Sequence, residues 1–88
     1  MSNLATITLQ PDAEYQDLAT LAGITFTEGT KYTIQVEGDV KLCESATKPT
    51  TGGFRINFND PFEFEAGTDP LWVKAYSTIK SNTIVIAD

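Results

Sequence analysis

Apolar and polar residues alternate with a period of two along most of the chain, the pattern of strands with one face buried. Tyr32, Ile34 and Val36 alternate with Lys31, Thr33, Gln35 and Glu37, and Val40 and Leu42 resume the pattern after Gly38-Asp39. That Gly-first pair suits a tight two-residue hairpin, so the segments on either side are expected to pair. Phe54, Ile56 and Phe58 alternate with Arg55, Asn57 and Asn59. Phe62 and Phe64 stand against Glu63 and Glu65, and Leu71, Val73 and Ala75 against Trp72, Lys74 and Tyr76. Thr83 to Ala87 places Ile84 and Ile86 on one face, and Leu4 to Leu9 and Ile24 to Thr27 read as two further strands. Two strands follow the dipeptides Asp60-Pro61 and Asp69-Pro70, where proline costs no ladder hydrogen bond and aspartate favours a turn.

Only Asp12 to Ala22 departs from this period. Tyr15, Leu18, Ala19 and Ala22 follow helical spacing with Gly23 as a stop, which predicts one short helix or helical turn near residues 13–22. Lys48-Pro49-Thr50-Thr51-Gly52-Gly53 is a loop, since proline and glycine interrupt both regular structures. About seven to eight short strands separated by such turns predict an all-β fold, a compact antiparallel β-sandwich or barrel. Residues 1–88 form a single domain, with 1–10 as an edge strand or an N-terminal arm that could add to a neighbour's sheet.

Composition narrows the chemistry. The 88 residues include no histidine and a single cysteine, Cys43. A Ser-His-Asp or Cys-His nucleophile, a zinc site of the usual ligands and an internal disulfide are therefore excluded. No acid, base and nucleophile converge, so the expectation is a non-enzyme without cofactor. A chain this short buries only about 60–65% of its unfolded surface, and a partner or a copy of itself is the usual further support. The net charge is −6, and Lys31, Lys41, Lys48, Arg55, Lys74 and Lys80 are scattered along the sequence. No run of cations would track phosphates, so nucleic acid is not an expected partner. No apolar run approaches the ~20 residues of a membrane span, and the start lacks a signal peptide's features. Synthesis and folding in a cytoplasm are expected, with Cys43 as a packed thiol.

Several clusters invite a functional reading. Glu63 and Glu65 share one face roughly 7 Å apart, near the carboxylate separation of glycosidases, but such pairs flank a cleft from different elements. A solvated face opposite Phe62 and Phe64 is the better account. Asn57, Asn59, Asp60 and Asp69 could supply oxygens to calcium, although the spacing lacks the glycine and terminal glutamate of a calcium loop. Gly52-Gly53 lacks the Lys and Ser/Thr of a phosphate loop. Trp72, Lys74 and Tyr76 share a face whose opposite side is also apolar. Three readings stand for them: a second core face, a subunit or partner interface, or a sugar-stacking platform. Leu4, Ile7 and Leu9 mark the first strand as a further contact candidate.

The succession Asp17-Leu18-Ala19-Thr20-Leu21-Ala22-Gly23-Ile24-Thr25-Phe26, then Gly29-Thr30-Lys31-Tyr32-Thr33-Ile34-Gln35 and Cys43-Glu44-Ser45-Ala46, continues in Pro49-Thr50-Thr51-Gly52-Gly53-Phe54 and Asp69-Pro70-Leu71-Trp72-Val73-Lys74-Ala75. Over roughly residues 15 to 87 it resembles small β-rich virion proteins of tailed bacteriophages. This class includes capsid decoration (cement) proteins, and similar domains serve in tails and fibres. The resemblance implies no catalytic residues. It implies a subunit on the capsid exterior that binds the assembled major capsid protein, often as a homotrimer at local three-fold positions, and stabilises the shell. A tail, fibre or head–tail accessory subunit is the alternative within that class. A carbohydrate-binding module using Trp72 and Tyr76 is the alternative outside it.

Overall fold

The computed structural model describes residues 3–11, 14–57, 61–76 and 82–88. Its strands are β1 (Asn3–Leu9), β2 (Gln16–Asp17), β3 (Lys31–Glu37), β4 (Asp39–Glu44), β5 (Phe54–Asn57), β6 (Phe62–Glu65), β7 (Leu71–Ala75) and β8 (Asn82–Ala87), with one helix, α1 (Leu18–Ala22). A first sheet has the order β1-β8-β3-β6 and a second the order β2-β7-β4-β5. All pairings are antiparallel. Among the described residues each sheet keeps two free edges, so the architecture is a sandwich and not a closed barrel.

The alternating residues fill the space between the sheets. Ile34, Ile84 and Ile86 from the first sheet and Val40, Leu42 and Val73 from the second are fully buried in one apolar cluster. Side chains removed from water in this way supply most of the folding drive, at about 1.5–3 kcal/mol for each large aliphatic. The two open sides of the sandwich are closed differently. Near β1 and β2, α1 packs against β1, β2 and β7 and buries Leu18. Near β5 and β6, aromatic rings bridge the sheets: Phe54 meets Phe62 at 4.9 Å, and Phe26 meets both Tyr32 and Phe64 edge-on at 4.8 and 5.2 Å.

The helix is shorter than its spacing suggests. Asp17 caps it, its Oδ1 accepting from the Ala19 and Thr20 N–H groups at 3.0 and 3.4 Å, so Tyr15 lies before the helix and not on it. Residues 12–13 lie outside the described residues. Pro61 and Pro70 stand immediately before β6 and β7, as expected of strand-initiating prolines, while Phe58, Asn59 and Asp60 lie outside the described residues.

Two expectations are overturned. Gly38-Asp39 is not a hairpin, because β3 already has β8 and β6 on its two edges and leaves β4 no slot beside it. The chain instead crosses from the first sheet to the second. Gly38 sits at φ 130°, and a β-carbon there would run into the Asn82 side chain, whose Oδ1 accepts from the Asp39 N–H at 3.0 Å. Ile24 to Thr27 is not a strand either, although its burial alternates. The Thr27 N–H donates to the Tyr32 hydroxyl at 2.7 Å and the Thr27 carbonyl accepts from Thr30, so these groups serve a turn and not a ladder.

Candidate functional site

The outward positions of the second sheet form a grid fixed by strand register. Lys41 of β4 stands opposite Lys74 of β7 on one side and Arg55 of β5 on the other. Neighbouring strands are about 4.8 Å apart, so the three cations form a row about 10 Å long across the strands. They are half of the chain's six cations, in a protein of net charge −6. The next level holds Asp39 opposite Asn57, with the Tyr76 N–H donating to the Asp39 carbonyl at 3.1 Å. The level on the other side holds Cys43 opposite Trp72.

Aromatic rings bracket this row. The Arg55 guanidinium lies 4.3 Å from the centre of the Tyr76 ring and pairs with Asp39 at 3.2 Å. The Lys74 ammonium lies 5.2 Å from the centre of the Tyr15 ring. Such stacking holds a cation in place without neutralising it. Lys41 has neither a ring nor a carboxylate against it among the described residues. Tyr76 is half exposed.

The loop between β4 and β5 folds over the remainder of the face. Tyr15 is buried beneath it, and its hydroxyl donates to the Gly52 carbonyl at 2.5 Å. The Trp72 indole N–H donates to the Ser45 carbonyl at 2.8 Å, which ties β7 to the start of the loop. Burial pushes the Tyr15 phenol above its ordinary value, with a smaller electrostatic contribution from the neighbouring Cys43. Glu14 and Lys48 form an exposed pair at 3.2 Å beside Tyr15, Pro49 and Thr50, lining a shallow cleft of about 200 Å³.

Trp72, Lys74 and Tyr76 do share one face, but they are used differently. Trp72 is half-buried against the loop, Lys74 is half-buried in the cation row, and Tyr76 is exposed with Arg55 over its ring. A flat Trp72–Tyr76 stacking platform is not formed. Of the first-strand candidates, Leu9 is buried and Ile7 half-buried in the core, whereas Leu4 is 40% exposed. Glu63 and Glu65 are both exposed on the outer side of β6, Glu65 opposite Lys31, with no cleft between them. Asn57 and Asp69 lie toward opposite ends of the second sheet and cannot share a calcium ion, while Asn59 and Asp60 lie outside the described residues. Cys43 is a half-buried free thiol. Arg55 and Lys41 were the functional candidates that spacing along the chain did not reveal, since only cross-strand register joins them to Lys74.

No protein-family model, curated protein or solved structure matches the chain.

Proposed function

We propose that the chain is a non-enzymatic structural subunit of a bacteriophage virion, a capsid decoration protein that binds the assembled shell of the major capsid protein and stabilises it. The observation that carries this reading is the Lys74–Lys41–Arg55 row on one face of an acidic sandwich. An acidic molecule with half of its cations gathered on one face meets a carboxylate-bearing surface in one orientation and repels it in others. The resemblance of residues 15 to 87 to small β-rich virion proteins supplies the identity of that surface. Tyr76, exposed beside the row, would add apolar area to the contact, since rigid rings bury much surface at little entropy cost. Binding to the expanded lattice in preference to its precursor stabilises that lattice by mass action, without any chemical step. The net negative charge favours the exterior of the shell over the packaged nucleic acid inside.

The test is copy number, measured against the major capsid protein in purified particles. Hundreds of copies in fixed ratio to the shell subunit are expected. A few to tens would move the chain to the tail, fibres or neck, and absence would overturn the virion reading. A second measurement addresses the face itself: the doubly substituted Lys41→Glu, Lys74→Glu chain should fail to bind shells that the wild type decorates.

A further inference from the structure

Among the described residues four strand edges are free in this sandwich, and three of them are guarded. β2 is only two residues long. β5 has four residues and carries Arg55, and β6 has four residues, follows Pro61 and projects Glu63 and Glu65. Short length, charge and proline are the usual devices that keep sheet edges from pairing with other chains. β1 has none of these three, and α1, which packs against it, leaves Leu4 and Leu21 exposed. It runs for seven residues, Asn3 to Leu9, without a charge or a proline, and its outer edge faces no other strand among the described residues. A register shift between Asn3 and Ala5 disturbs its start, but Ala5 to Leu9 pairs regularly with β8 and is therefore straight enough to accept another strand.

From this edge we infer that β1 pairs with the β1 of a second copy of this chain, antiparallel and about a two-fold axis at Ile7. The regular segment, Ala5 to Leu9, is centred on Ile7, so the axis sets Thr6 opposite the partner's Thr8 and Ile7 opposite its own equivalent. Thr–Thr pairs on the outer face are favourable cross-strand neighbours, and Ile7 extends the apolar inner layer across the junction. An uncharged edge is also where two molecules of charge −6 can approach with least repulsion. Leu4 on β1 is 40% exposed, as is Leu21 on α1, the helix that packs against β1, and the partner would reduce the exposure of Leu4. The contact is isologous and closes on itself, so it yields a dimer with an eight-stranded continuous sheet and no open polymer.

Sedimentation equilibrium of the full chain tests this contact. The mass of two chains is expected for the wild type and the mass of one for the Thr6→Lys, Thr8→Lys variant, in which lysines would face lysines across the axis. Thr6 and Thr8 are exposed, so circular dichroism of the variant should match the wild type. Mixing that variant with a Thr6→Glu, Thr8→Glu variant should restore the mass of two. A wild type that stays monomeric, or one with the mass of three chains, would overturn the proposal, as would a lysine variant that folds and remains dimeric or a mixture that fails to associate. The measurement uses the protein alone and is independent of shell binding, which the Lys41→Glu, Lys74→Glu variant probes without touching β1.

Discussion

Lys41 and Lys74 face each other directly across the β4–β7 ladder, two like charges on neighbouring strands with no carboxylate against Lys41 among the described residues. Such a pair is destabilising in the free protein and becomes favourable only when an anionic surface covers it. Lys41→Thr should therefore stabilise the isolated chain by about 0.2–1 kcal/mol, read from urea denaturation midpoints. The same substitution should weaken binding to the shell and flatten its dependence on ionic strength, because exposed charge contacts are screened by salt. A variant that is both less stable and equally adhesive would remove the cation row from the docking face.

Tyr15 joins the segment before α1 to the loop between β4 and β5 through a single hydroxyl, which donates to the Gly52 carbonyl. Tyr15→Phe keeps the ring and its contact with Lys74 but loses this bond. The expected cost is about 0.5–1.5 kcal/mol. Hydrogen exchange should accelerate in residues 45–53 while the amides of β3 and β8 remain protected. Uniform acceleration would mean that the loop is not an independent unit.

The same phenol makes stability sensitive to alkali. Burial raises the Tyr15 value in the folded protein above the ordinary 10.0, so the unfolded chain loses this proton first as pH rises. The stabilisation is complete below pH 10 and is lost progressively above it, up to the folded value. Denaturation followed across that range should show a downward slope that is shallower in Tyr15→Phe. An identical slope in both proteins would assign the alkaline sensitivity to other groups.

Gly38 turns the chain from one sheet to the other against Asn82. Gly38→Ala places a methyl group both in an unfavourable backbone region and against that side chain, and should cost about 1–3 kcal/mol. Adding Asn82→Gly to it should recover part of the loss, since the steric component then disappears while the backbone component remains. A thermal denaturation cycle of the two single variants and the double variant measures that coupling.

The strands were legible because burial on one face imposes a period of two wherever a residue is paired. Tyr32 to Val36 and Leu71 to Ala75 show it, and both are strands. Alternation without a ladder is what misled at Ile24 to Thr27, where packing against Tyr32 and Phe64 imitates a buried face. Gly38-Asp39 looked like a hairpin because the same residues permit a corner, and the choice depends on β8 and β6 occupying both sides of β3, which no local signal contains. The shared face of Trp72, Lys74 and Tyr76 could be read from spacing. Its partial cover by the Ser45–Gly53 loop, and the arrival of Lys41 and Arg55 beside Lys74, follow from register between distant segments. Tyr15 is the clearest case: its spacing to Leu18 is helical, but Asp17 claims the cap and leaves Tyr15 ahead of β2, beneath the loop between β4 and β5.

The place of β8 in the first sheet governs the order in which the molecule can be built. It is the last strand in chain order, yet it lies between β1 and β3. Until it arrives, β1 has no neighbour in its own sheet, and β3 can pair only with β6. The second sheet can form its β4–β5 and β4–β7 ladders earlier, so it is the natural template onto which the other layer condenses. Closing loops of this length before any reward is gained slows folding. During synthesis the uncharged β1 segment emerges before the other strands of the sandwich and waits for β8, open to any other strand that meets it. A cell making many copies at once must therefore complete each chain faster than neighbouring nascent chains can exchange first strands.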